Sequence, residues 1–160
     1  MIKVTNGLTA KGEVSVSLRY KDGTVENIID KQNLIVDTAK LFILSTLYAG
    51  GAVTLDPIVS LKVGTGGCID PAGLYPKPTL KTQTDLYTPL LTVDASPVID
   101  TGNIKVTFLA DVSTDEGNLQ QINEAGLFKN SGTIFSVITH PGIYKTSDFA
   151  IHYSWTIRIP

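Results

Sequence analysis

The 160-residue chain contains one cysteine, one methionine, one tryptophan and two histidines. A lone Cys68 excludes an internal disulfide, so the fold does not depend on an oxidising compartment. His140 and His152 have no Cys or carboxylate at ligand spacing, and no zinc site or other cofactor is expected. His140, in Thr-His-Pro-Gly, reads as a turn residue, and His152 as a sheet-surface residue. Charge is sparse as well. Charged residues make up 18%, the net charge is −2, and the thirteen Lys and Arg are scattered. Affinity for a phosphate backbone needs clustered cations, so no nucleic-acid partner is expected. Long hydrophobic runs are missing too: Leu41 to Leu47 is far shorter than the roughly 20 apolar residues that cross a bilayer as a helix. The N-terminal Met-Ile-Lys-Val-Thr-Asn-Gly has no apolar h-region, so a soluble, cytoplasmically made chain is expected, without membrane partner or signal peptide.

What is present is the balance of one globular domain, 42% apolar, in a chain long enough for a real core. The C-terminal stretch organises it. Phe149, Ile151, Tyr153, Trp155, Ile157 and Ile159 alternate with Ala150, His152, Ser154, Thr156 and Arg158, the period of a half-buried strand, which reads as a central rung. Ala125–Phe128 and Thr133–Ile138 flank Lys129-Asn130-Ser131-Gly132, a hairpin signal. Gly12–Tyr20 alternates Val14, Val16, Leu18 and Tyr20 against Ser15, Ser17 and Arg19. It joins Thr24–Ile29 through Asp22-Gly23, a second hairpin. Further strands are predicted at Ile58–Val63, Leu86–Val93 and Ile104–Val112, with Ile104, Val106, Phe108 and Ala110 on one face. Thr114–Gln121 reads as a polar turn.

From Asn33 the period changes. An apolar helix is predicted over about 37–48, N-capped by Asp37 or Asn33 and stopped by Gly50-Gly51. The sum, about eight strands and one helix, predicts a mainly-β, single-domain antiparallel β-sandwich, jelly-roll-like. Residues 1–11 form an arm or edge strand, residues 12–160 the sandwich, and residues 66–84 a long loop. The core candidates are Phe108, Phe128, Phe135 and Trp155.

Motifs for chemistry fail on spacing. Gly64-Thr65-Gly66-Gly67 follows a strand, but Pro71 and Gly73 come next. There is no helix N-terminus to hold a phosphate, so a turn is expected. Asp111, Asp115 and Glu116 do not fit a calcium loop when Gly117 takes its sixth position. Gly-x-Ser-x-Gly is absent, and Cys68 has no sequence partner that marks it as a nucleophile. Enzyme activity is not expected. Glu124, at the head of an apolar strand, reads either as an edge charge or as a structural carboxylate accepting backbone N–H groups from the polar segment before it. The Cys68–Thr84 segment is punctuated by Pro71, Gly73, Pro76 and Pro78, and a loop that long is usually functional. Its Ile69, Leu74, Tyr75 and Leu80 are the interface candidates. The loop is expected to lie on another subunit and to be mobile in a free monomer.

The pattern Ile122-x-Glu124-x-Gly126-Leu127-Phe128, Gly132-x-Ile134-Phe135, Ile143-x-Lys145 and Tyr153-x-Trp155-x-Ile157 resembles small structural proteins of tailed bacteriophages. The earlier marks are similar: the Gly12–Tyr20 strand with Asp22-Gly23, Asn33-Leu34-Ile35-Val36 before a helix, Gly64-Thr65-Gly66, and Asp85-Leu86 with Pro89-Leu90. The Pro-rich Cys68–Lys81 expansion departs from it, being longer than expected. The resemblance implies a virion protein of the tail, baseplate, neck or fibre-attachment region. Such a protein is not an enzyme and works as an oligomer with other phage structural proteins. A receptor- or carbohydrate-binding module of a fibre is the alternative, with Tyr75, Tyr87 and Tyr144 as the sugar-stacking candidates.

Overall fold

A computed structural model describes residues 10–48 and 55–158. Among these, ten strands and one helix follow in the order β1 (Lys11–Tyr20), β2 (Val25–Gln32), β3 (Leu34–Ile35), α1 (Asp37–Tyr48), β4 (Ile58–Gly64), β5 (Pro89–Asp94), β6 (Ser96–Asp100), β7 (Lys105–Val112), β8 (Gln121–Lys129), β9 (Ile134–Tyr144) and β10 (Phe149–Arg158). They form two five-stranded antiparallel sheets. Sheet A has the order β2-β1-β10-β7-β6, and sheet B the order β3-β9-β8-β4-β5. The chain passes back and forth between them and closes on itself where β10 pairs with β1, a jelly-roll-like sandwich. Of the expected arm, residues 1–9 lie outside the described residues, as does Ile159.

β10 is the middle strand of sheet A. Its inward residues Phe149, Ile151, Tyr153, Trp155 and Ile157 are all buried, and its outward ones are half-buried or exposed. Trp155 lies opposite Phe108 on β7 and Val14 on β1, and these residues join Leu61, Leu127, Phe128 and Phe135 in one apolar cluster. Asn33 closes it from the side. With its nitrogen toward the Gly12 carbonyl (2.7 Å), its amide oxygen accepts from the Trp155 indole N–H and from Ser136 Oγ (3.1 Å). The indole N–H is thus satisfied inside the core, as a buried Trp requires.

β8 and β9 are buried on both faces, unlike the strands of sheet A. One face meets sheet A. The other lies under α1 and under the long connection between β4 and β5. This two-sided burial is why Ala125–Phe128 and Ile134–Ile138 lack the regular polar alternation of a half-buried strand.

The structure departs from the sequence reading in several places. The expected strand at Leu86 starts only at Pro89, because the Tyr87 and Thr88 N–H groups bond to a side chain instead of a neighbouring strand. Ser96–Asp100, not expected as a strand, is the edge strand β6. Pro97 is tolerated there because an edge leaves N–H positions unpaired. Thr139–Gly142 is not a turn: it lies within β9, where a register shift opposite Ile122–Glu124 accommodates it. Ile104, expected as the first residue of the strand, lies outside β7. It precedes β7 in a left-handed conformation, φ 48°. Neither N-cap candidate caps α1. The Val36 carbonyl accepts from the Ala39 and Lys40 N–H groups, Asp37 sits in the first turn, and Asn33 is committed to Trp155.

Candidate functional site

The connection from β4 to β5 is held by a buried carboxylate. Glu124 on β8 is 0% exposed. Its Oε1 accepts from Gly66 N–H (3.0 Å) and Thr88 N–H (2.8 Å), and its Oε2 from Tyr87 N–H (2.8 Å). Next to it, Asn123 Oδ1 accepts from Gly67 N–H (2.6 Å). Glu124 is therefore a structural carboxylate, but its donors come from the glycine loop and the strand approach, not from the polar segment before it. The glycine loop does cradle an anion, and that anion belongs to the protein itself. Close approach explains the glycines: a Cβ at Gly67 would run into the Asn123 carbonyl and the Glu124 Cβ, and one at Gly64 into the Thr88 carbonyl.

The outer part of the loop is built on Asp70. Asp70-Pro71-Ala72-Gly73 places Asp, Pro and Gly at the first, second and fourth positions that a type I turn favours, and Gly73 N–H reaches the Asp70 carbonyl (3.1 Å). The Asp70 carboxylate accepts from Tyr75 N–H (2.8 Å) and Leu74 N–H (3.1 Å), and these two bonds hold its carboxyl below the usual carboxylate range. Ile69 N–H bonds the Tyr75 carbonyl (2.8 Å), and Lys77 N–H the Gly67 carbonyl (2.7 Å). The loop is then fastened to the sheet. Gly142 N–H donates to the Gly73 carbonyl (2.7 Å), Gln121 Nε2 to the Ala72 carbonyl (3.1 Å), Thr139 Oγ1 to the Lys77 carbonyl, and Tyr87 Oη to the Pro78 carbonyl (2.7 Å). Further along, Asp37 N–H bonds the Lys81 carbonyl (3.0 Å). The loop, expected to be mobile in a free monomer, is hydrogen-bonded to its own domain along its length. The Asp-Pro-x-Gly signal was present in the sequence, whereas the fastening comes from strands too distant in sequence to be read.

On this anchored backbone the four interface candidates point outward: Ile69 is 69% exposed, Leu74 63%, Tyr75 66% and Leu80 51%. Tyr144 and Leu119, beside Gln121 and Lys145, are also exposed at the end of the domain that carries Gly73. Of the tyrosines considered for sugar stacking, Tyr75 and Tyr144 are exposed. Tyr87 is partly covered, its hydroxyl engaged and Lys77 Nζ lying 4.8 Å from its ring centre. The other named residues lie elsewhere: Phe108, Phe128, Phe135 and Trp155 are all in the core.

Two buried basic groups sit behind the surface. Lys145 is fully buried, and its Nζ donates to the Thr146 carbonyl (2.7 Å) and Asn118 Oδ1 (3.1 Å), closing the Thr114–Gln120 segment; burial lowers its pKa. His140 is buried under the loop. Its Nδ1 donates to the Pro141 carbonyl (2.8 Å), its own carbonyl accepts from Cys68 Sγ, and burial lowers its pKa to about 4. Its ring faces Tyr153, whose phenol burial pushes well above its ordinary range. Cys68 is half-buried, and burial raises its thiol pKa too. This weakens it as a nucleophile.

His152 lies on the outer face of sheet A and donates through Nδ1 to Asp111 (2.8 Å). Among the described residues no three or more His, Cys, Asp or Glu side chains come together as a metal site, and no helix is long and apolar enough to cross a membrane. In comparison with known proteins, no family profile, curated protein or solved structure matches this chain.

Proposed function

We propose that this chain is a structural protein of a tailed-bacteriophage virion, in the tail, baseplate, neck or fibre-attachment region. It acts there by oligomeric assembly with other virion proteins and without catalysis. The observation that carries the reading is the anchored apolar loop. Ile69, Leu74, Tyr75 and Leu80 are exposed on a backbone already fixed by Glu124, Asp70 and the β8–β9 hairpin. A loop fixed before binding loses little conformational entropy on docking, and exposed aromatic and aliphatic side chains on such a frame are what an interface core uses. The sequence resemblance supplies the virion context, and the β-sandwich is compatible with it.

The test is a triple substitution, Ile69→Ser, Leu74→Ser and Tyr75→Ser. It leaves the anchoring hydrogen bonds in place because none of them uses the side chain of Ile69, Leu74 or Tyr75. Copy number in purified particles should fall sharply while the isolated chain stays folded. Incorporation at the wild-type level sinks the reading. Exposure of Tyr75 and Tyr144 at one end of the domain favours the second reading, a receptor- or carbohydrate-binding module. Glycan-array binding lost on Tyr75→Ala would support that reading over assembly.

A further inference from the structure

The ladder between β8 and β9 breaks where the loop is fastened. Between the pairs Ile122–Ile143 and Glu124–Thr139, one β8 residue, Asn123, stands opposite three of β9, His140, Pro141 and Gly142. These three form a bulge outside the ladder, and Pro141 has no N–H to offer one. The bulge and its neighbour Thr139 moor the outer loop. The His140 carbonyl accepts from the Cys68 thiol, Gly142 N–H donates to the Gly73 carbonyl (2.7 Å), and Thr139 Oγ1 donates to the Lys77 carbonyl. The His140 side chain is 0% exposed. Its Nδ1 is held as a donor by the Pro141 carbonyl, and its Nε2 has no hydrogen-bond partner among the described residues. Nε2 is therefore a basic nitrogen shut away from water.

The surroundings offer no free counter-charge to a proton there. Tyr153 faces the ring from β10, and its hydroxyl is also buried without a partner among the described residues. From β2 comes the Lys31 ammonium, which donates to the Thr139 carbonyl (2.7 Å) and opposes a second positive charge. On β8, Glu124 gives its carboxylate to three backbone N–H groups. In the loop, Asp70 is bonded to Leu74 and Tyr75 N–H, Lys77 Nζ lies over the Tyr87 ring, and burial raises the Cys68 thiol pKa. On α1, Asp37 and Lys40 pair with each other (3.2 Å).

We propose that the bulge is an acid-sensitive latch on the β4–β5 loop: proton uptake at His140 Nε2 swings His140–Gly142 out to water and unfastens Cys68 and Gly73, while the sandwich stays folded. The direction follows from linkage. The closed latch keeps Nε2 neutral, with its pKa lowered by burial to about 4, and the open one restores an ordinary imidazole. The closed state therefore has its full stability above about pH 6.5 and loses it as pH falls toward about 4. Opening breaks no strand pairing, because the three residues lie outside the ladder. The inner loop stays in place, since Gly66, Tyr87 and Thr88 are held by Glu124 and not by the bulge. The latch is a property of the lone chain and does not rest on the virion reading.

Amide exchange of the purified full chain, followed by NMR, reads the latch through Gly142 N–H. Its protection, corrected for the intrinsic pH dependence of exchange, should fall roughly 10- to 30-fold between about pH 7.5 and about pH 5. In His140→Gln the fall should be absent. A local opening exposes little surface, so in the wild type low urea should barely change Gly142 exchange while it speeds exchange in β10. This arm uses the wild type alone and decides the matter even where the variant is unstable. Three results would each overturn the proposal: Gly142 protection indifferent to pH, an equal fall in His140→Gln, or a urea dependence at Gly142 as steep as that of β10.

Discussion

Glu124→Gln changes the loop anchor by one atom and keeps its volume. In the native corner Oε1 takes two backbone N–H groups and Oε2 takes one. A glutamine carbonyl can still accept from Gly66 and Thr88, but its NH₂ would face the Tyr87 N–H, donor against donor. Hydrogen bonds to a charged group contribute about 1.5–3 kcal/mol each and neutral ones about 1. One bond lost and two weakened therefore comes to about 2–4 kcal/mol. Two effects pull toward the lower end. The glutamine avoids burying a charge, and Tyr87, 38% exposed, can find water. A net loss of about 2 kcal/mol is expected, which lowers the melting temperature of a domain this size by about 4–8 °C. Glu124→Ala strands all three donors and should cost more, about 3–5 kcal/mol. Urea unfolding followed through Trp155 emission gives the free energy, and amide exchange at Gly66, Tyr87 and Thr88 shows where it is lost. A change under about 0.5 kcal/mol with those amides still protected would refute the anchoring role.

The other expectations concern the core and its buried histidine. His140 is depressed to about 4 by burial, with Lys31 also opposing its charge, so the unfolded chain takes up the proton first as pH falls. Its contribution is complete above about pH 6.5 and is lost down to about pH 4, roughly 3 kcal/mol in all. His140→Gln should remove that part of the pH dependence, and equal slopes for the two proteins would contradict it. Trp155→Ala removes a fully buried side chain and its hydrogen bond to Asn33, and should destabilise by about 3–5 kcal/mol. A native emission spectrum typical of tryptophan in water would contradict the burial.

The sandwich was legible wherever one face of a strand is buried and the other wet. β1 and β10 announce themselves by alternation, and β10 falls at the centre of its sheet as its aromatic content suggests. The helix was legible from its change of period. The edge strand β6 was not, because Pro97 reads as a breaker when nothing in the sequence says which strand is the edge. Nor was the true start of β5, since Tyr87 and Thr88 give their N–H groups to a carboxylate distant in sequence. Glu124 was visible as an odd charge before an apolar run, but its donors at Gly66, Tyr87 and Thr88 come from elsewhere in the chain. His140 misled for a related reason. Pro141-Gly142 looks like a turn, and only the loop packed above it makes it a covered stretch of strand, with Gly142 N–H bonded to Gly73. The local half of the loop, Asp70 to Gly73, could be read from turn chemistry; the half that fixes it to the sheet is tertiary.

The most direct measurement is a map of the assembled particle that resolves side chains at this subunit. Leu74 and Tyr75 are expected against a neighbouring subunit, with the loop backbone from Gly66 to Lys81 keeping the conformation of the isolated chain. Leu74 and Tyr75 facing solvent, or a particle that contains no copy of the chain, would contradict it.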